Sequence, residues 1–138
     1  MKYLSQYKEQ AQTELFNKTG SFFAFSNKQF KEQFKPGTKY VDCGAGLICP
    51  VKNYEELKNG LEAIQKNAIE QDVNENGAAA IIEREYFNYE TQINFDGEQD
   101  ARDFLKQYQN QFPELFTKNL IKSVFKNCYQ KAVENDWF

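Results

Sequence analysis

The sequence predicts a mostly helical α+β single domain with a small antiparallel β-hairpin or three-stranded sheet. Three observations carry that reading. Apolar residues recur at helical spacing in several separate stretches, most of them opened or closed by a cap signal. Two short β-leaning runs flank the turn Gly44-Ala45-Gly46. The 138 residues include 13 Phe and 8 Tyr, enough apolar surface to bury a core without disulfides or metal.

Taken in order, Lys2 to Lys18 reads as a first helix, with Leu4, Tyr7, Ala11 and Leu15 on one stripe and Thr19-Gly20 as its end. In SFFAFSNKQFKEQFKPG, Ser26 and Gln29 form a capping box, and Phe25 and Phe30 occupy the two positions of a hydrophobic staple. A second helix is therefore expected from Asn27 to about Lys35, stopped by Pro36 and Gly37. Tyr40 to Cys43 and Leu47 to Cys49 make the hairpin. Asn53 and Glu56 cap a helix to about Asp72, with Leu57, Leu61, Ile64 and Ala68 on one face, and Asn76-Gly77 break it. Gly77 to Thr91 is a further helix. Thr91 to Phe95 alternates polar with apolar residues and reads as a third strand, with Asp96-Gly97 as its turn. Ala101, Phe104, Leu105 and Tyr108 line a short helix. Pro113 suits the first turn of a last one, whose core stripe is Ile121, Phe125, Cys128 and Ala132. The tail Asp136-Trp137-Phe138 is expected to be loosely held. With no repeat, low-complexity tract or linker, one domain is expected to cover residues 1–138.

Composition excludes much. The 17 basic and 20 acidic residues give a net charge of −3, with neither sign clustering strongly along the chain, which argues against direct nucleic-acid binding. The absence of histidine removes the commonest general base, the commonest metal ligand and every Ser/His or Cys/His nucleophile. Cys43, Cys49 and Cys128 leave an odd thiol and no CxxC, so they read as reduced thiols, and no metal or cofactor is expected. The Gly44-Ala45-Gly46 turn runs into a strand rather than a helix N-terminus, unlike a phosphate loop. Phe22, Phe23 and Phe25 would suit a base-stacking platform if a basic groove surrounded them; without one they read as core. The first residues lack a signal-peptide core and no run approaches a membrane span, so a cytoplasmic protein is expected.

The most informative stretch is GAAAIIEREYFNYET, Gly77 to Thr91. At about 100° per residue, Ala78, Ile81, Ile82, Asn88 and Tyr89 lie around Glu85, while Glu83, Phe87 and Glu90 fall on the opposite side. Glu85 thus sits centrally in an apolar face, where a carboxylate must be paired, protonated or bound. Glu85, Asn88 and Tyr89 are the buried polar candidates. One reading makes Glu85 an acid or base, or a ligand of Mg²⁺ or Ca²⁺ with Asn88 as a neutral donor and Glu90 nearby. The favoured reading ties Glu85 to backbone amides, a tyrosine hydroxyl or a basic side chain such as Arg84.

FFAFSNKQF at Phe22 to Phe30, the Gly44-Ala45-Gly46 turn and the helix with Glu85, Asn88 and Glu90 together resemble a group of small proteins of phages, prophages and mobile elements. Tyr89 stands where that group's Glu-Leu-Ala-Asn-His-Glu pattern has histidine. The resemblance implies a mobile-element origin and no particular chemistry. The function expected is therefore a non-catalytic phage or mobile-element protein that binds and inhibits a host protein, possible targets being nucleic-acid-handling defence nucleases, as anti-CRISPR proteins do. Its contact residues would be Glu83 and Glu90 with the aromatic anchors Phe87, Phe116 and Trp137, read as exposed. The alternative is a small carboxylate enzyme, or a metal- or nucleotide-binding protein, using Glu85, Asn88 and Glu90.

Overall fold

The computed structural model describes every residue of the chain except Phe95. Among the described residues the elements run α1 (Leu4–Thr19), β1 (Phe22–Phe23), α2 (Asn27–Gln33), β2 (Tyr40–Asp42), β3 (Leu47–Pro50), a 3-10 turn (Val51–Asn53), α3 (Tyr54–Asn76), α4 (Ala78–Asn88), α5 (Gly97–Gln111) and α6 (Lys118–Glu134). This is the mostly helical α+β architecture that the periodicities predict. The chain divides into two compact units, Lys2–Ala68 and Ile69–Phe138 with Met1, the boundary falling within α3.

In the unit Lys2–Ala68, β3 is the centre of an antiparallel sheet of order β1-β3-β2. Phe22 is registered with Ile48, and Val41 with Cys49. Gly44, Ala45 and Gly46 all have positive φ, which is why glycine flanks the turn, and Asp42 steadies it by accepting from the Gly44 amide at 2.8 Å. Gly46 has a second reason to lack a side chain. The Phe25 ring lies where its Cβ would be. Leu47, Cys49 and Leu57 form the buried centre, with Leu15, Phe16, Val41 and Leu61 packed against it. Asn53 does not cap α3 as expected; its side-chain amide donates to the carbonyl of Thr19 at 2.8 Å, joining the end of α1 to the start of α3.

The Ser26 cap forms, its hydroxyl accepting from the Gln29 amide at 3.2 Å. The Gln29 side chain reaches one residue further back than a capping box requires and accepts from the Phe25 amide at 2.7 Å. The staple does not close as expected. Phe25 stacks on Phe23, while Phe30 packs against Phe22, Phe34 and Tyr40.

The unit containing α4, α5 and α6 buries Ile81, Ile82, Tyr86, Leu105, Tyr108 and the expected α6 stripe of Ile121, Phe125, Cys128 and Ala132. Three expectations fail here. Thr91 to Asn94 form turns rather than a strand, because Glu90 takes a left-handed conformation (φ 51°) and its carbonyl accepts from the amides of Ile93 and Asn94. Phe95 lies outside the described residues, and the sheet's third strand is Phe22–Phe23 instead. Pro113 sits in a turn before the helix; α6 starts at Lys118, capped by Thr117, whose hydroxyl accepts from the Leu120 amide at 3.1 Å. The tail is anchored rather than loose: the Trp137 amide donates to the carbonyl of Ala132 at 3.0 Å, and its ring meets Phe87 edge-on at 5.7 Å.

Charge is less evenly spread along the chain than expected, and the two units differ in sign. Lys2–Ala68 holds 10 lysines and 7 acids, net +3; the other unit holds 7 basic and 13 acidic residues, net −6. Among the described residues no helix is long and apolar enough to cross a membrane. Replacing Ser26 with Ala removes the α2 cap and is expected to lower stability by about 1 kcal/mol, read from chemical denaturation; an unchanged midpoint would show that the cap contributes nothing.

Candidate functional site

Glu85 is buried, 1 % exposed, on the inner face of α4, as its place in the apolar stripe requires. Its neighbour Arg84 is buried too. The guanidinium donates from Nε to Glu85 Oε2 at 2.9 Å, and its two terminal nitrogens donate to the two oxygens of Asp72, each at 2.9 Å. The Tyr108 hydroxyl, from α5, donates to Asp72 Oδ2 in a short bond and lies 3.3 Å from Arg84 Nη2. Asn76 donates to Asp72 Oδ1 at 2.8 Å, and Asn88 to Glu85 Oε1 at 3.1 Å. One cation thus holds two carboxylates, and side-chain amides and a phenol take up further lone pairs. Burial on its own would lower the Arg84 pKa; the hydrogen bonds and charges of Asp72 and Glu85 outweigh it and hold the guanidinium firmly charged. Burial, then the bond to Asp72, pushes the Tyr108 hydroxyl well above its ordinary range, so it acts as a donor and not as a phenolate.

Chemically this arrangement is closed. Glu85 accepts from Arg84 and Asn88, leaving it as an ion-pair partner rather than a free acid or base. Of the two residues expected to be buried with it, Asn88 is exposed, and Tyr89 is half-buried beyond the end of α4, its ring near Phe104 at 6.1 Å. Among the described residues no group of three or more His, Cys, Asp or Glu side chains is placed to hold a metal ion. An open cleft of about 1060 Å³ in the same unit is lined by Tyr86, Arg102, Phe125 and Lys126 among others, and Glu85 is not in its wall.

Two members of the network carry a signal in the sequence that the stripe analysis passed over. Asp72 continues the α3 stripe of Leu57, Leu61, Ile64 and Ala68 at a spacing of four, so a carboxylate again stands where an apolar residue belongs. Tyr108 sits on the α5 stripe and was read as packing alone.

The surface candidates separate. Glu83 is not a free acid: its carboxylate accepts from the Lys131 ammonium at 2.7 Å in a half-exposed pair. Phe87, expected on an open face, is half-buried between Tyr86 and Trp137. Phe116 is not exposed; at 1 % exposure it is core, its ring against Tyr108 at 5.1 Å. Glu90 is exposed in the turn after α4. Trp137 is 47 % exposed, as expected, and it has company that the sequence reading missed. Tyr129, Val133 and Phe138 are exposed around the C-terminal end of α6, with Tyr129 and Phe138 ring to ring at 6.1 Å. Glu134 and Asp136 are exposed beside them in the chain.

Residues 4–131 match the family described as "Family of unknown function (DUF7659)", and the chain belongs to that family. No curated protein and no solved structure matches it.

Removing one partner of a buried ion pair strands the others, which typically costs about 3–5 kcal/mol. Asp72→Ala and Glu85→Ala are therefore expected to lower the unfolding free energy on that scale, whereas Glu83→Ala, in a surface pair, should stay within about 1 kcal/mol. Urea unfolding of the three variants checks this; equal midpoints for Glu85→Ala and Glu83→Ala would contradict it.

Proposed function

We propose that this is a non-catalytic binding protein that docks on another protein and obstructs a basic surface of it. The observation that carries this reading is the exposed cluster of Tyr129, Val133, Trp137 and Phe138 at the end of α6, in a unit with a net charge of −6. Interfaces take most of their energy from a few large aromatic anchors, and soluble chains rarely leave several such side chains together in water without a partner. Glu134 and Asp136, the acids beside the cluster in the chain, would steer the encounter with a cationic partner, and the lysines of α6, Lys126 and Lys131 nearest, limit how basic that partner's contact is. The carboxylate enzyme or metal-binding alternative loses its main support, since Glu85 is an ion-pair partner and Asn88 its hydrogen-bond donor.

The resemblance to phage and mobile-element proteins sharpens the proposal: the partner would be a bacterial host factor that handles nucleic acid, such as a defence nuclease, met in the cytoplasm. A protein whose own groove binds phosphates presents the charge that this unit complements.

The immobilised protein is expected to retain basic proteins from a bacterial lysate, and Trp137→Ala to release them faster. Charge reversal at Glu134 and Asp136 is expected to slow association, an effect that fades as salt rises, because exposed charges are screened beyond about 8 Å at physiological ionic strength. Equal retention by wild type and Trp137→Ala, or a thermal shift with Mg²⁺ or a nucleotide and no protein retained, would reject the proposal.

A further inference from the structure

The unit Lys2–Ala68 carries a second surface of opposite character. Between Lys18 and Lys52 the chain has six lysines and only two acids, Glu32 and Asp42. Among the described residues, Lys28, Lys31, Lys35, Lys39 and Lys52 take part in no ion pair. Lys18, Lys35 and Lys52 line one cleft of about 290 Å³, whose remaining walls include Gln33, Tyr40 and Asn53 and no carboxylate. Lys18 is partly engaged by Glu56 at 3.0 Å, so Lys35 and Lys52 supply most of the uncompensated charge. A cleft with cations and neutral amides but no acid is complementary to an anion of phosphate type.

One exposed flat ring, Phe34, stands beside it; Phe23 and Phe25 lie on the opposite face of the sheet from Phe22, which lines the cleft. Phe23 and Phe25 are stacked with their planes 9° apart, and Phe30 and Phe34 with theirs 8° apart. Phe23, Phe25 and Phe34 are exposed, Phe25 to 73 %. The rings and the cleft share structure: Gln33 lines the cleft and its amide donates to the carbonyl of Phe23 at 3.0 Å, and exposed Phe34 lies between Gln33 and Lys35, both in the cleft wall. The Phe25 ring rests against Gly46, where no side chain intervenes.

We propose that this face binds single-stranded nucleic acid, with backbone phosphates in the lysine cleft and a base stacked on the exposed Phe34 ring beside it. Stacking platforms flanked by unpaired cations are how single strands are held without sequence readout, since every base offers a π-face and every linkage a negative charge. The acidic sum of the whole chain argued against such a partner, but charge acts locally within a Debye length, and around this ring its sign is positive. A duplex satisfies only half of the arrangement, because its bases are already stacked. An anionic membrane would meet the same lysines, but the single ring beside them, Phe34, gives a bilayer little apolar surface to take up. The inference is independent of the docking patch at the end of α6.

The test is fluorescence anisotropy of a labelled oligothymidine of about 16 nucleotides titrated with the full chain at increasing salt. Binding is expected at low ionic strength and to weaken with a log-log slope of about −0.7 per phosphate neutralised. Lys35→Gln with Lys52→Gln should flatten that slope by about 1.4. Phe34→Ala, at the exposed ring beside the cleft, should weaken binding about tenfold at every salt concentration while leaving the slope alone, with an unchanged circular dichroism spectrum. Trp137→Ala should bind the oligonucleotide as wild type does. No binding at low ionic strength, equal affinity in the lysine and phenylalanine variants, or retention by phosphatidylserine vesicles without retention of the oligonucleotide would overturn the proposal.

Discussion

Arg84 lies on the buried face of α4 between two carboxylates, one from the next residue and one from α3, and a buried cation without partners is too costly to tolerate. The other polar positions in this part of the molecule follow from that constraint. Asp72 must face inward from α3 at a place where the stripe would otherwise hold an apolar side chain, and Tyr108 must bring a donor from α5 to an oxygen that Arg84 also uses. Asn76 and Asn88 sit one turn beyond Asp72 and Glu85 and donate back to them. The energies make this more than decoration. Stranding one partner costs about 3–5 kcal/mol, a large share of the 5–15 kcal/mol by which a domain is usually stable. A complete network, in contrast, contributes little net stability over well-packed apolar residues; what it contributes is a fixed relation between the C-terminal part of α3, α4 and α5.

That constraint also directs attention to the surface. A carboxylate hidden in an apolar stripe is the most enzyme-like feature of the sequence, and in the structure Arg84 and Asn88 donate to its two oxygens. What is left at the surface is aromatic and charged: a unit of net negative charge ending in Tyr129, Val133, Trp137 and Phe138, and a basic unit presenting Phe23, Phe25 and Phe34. The rings touch neighbours and still face solvent, Trp137 at Phe87 and Phe25 at Gly46. Exposed aromatic groups of this kind are suited to binding.

Much of this fold is legible in the sequence, and the failures have physical reasons. The α6 stripe, the Ser26 cap and the hairpin around Gly44 and Gly46 are local signals, and they form where expected. Thr91 to Asn94 misled because alternation marks a strand only when a partner strand exists; here the left-handed turn at Glu90 decides the conformation instead. The burial of Glu85 followed from helical phase alone, but its partners did not, since no local rule joins residues 72, 84 and 108. Asp72 was readable as a second intruder in an apolar stripe. Phe116 shows the converse limit: in a chain so rich in aromatics, sequence does not say which rings are core and which are surface. The lysine excess between Lys18 and Lys52 is legible in the sequence, but no local rule says that Lys18, Lys35 and Lys52 line one cleft.

The most direct test of a structural role for the network is to replace it whole. A variant carrying Asp72→Leu, Arg84→Met, Glu85→Leu and Tyr108→Phe removes every charge of the network and leaves no buried ion unpaired. Its urea unfolding and its retention of lysate proteins, measured together against wild type, separate the roles. A cooperative transition and retention equal to wild type are expected. A variant that unfolds cooperatively yet no longer retains those proteins would contradict the structural role, placing function in the buried carboxylates after all.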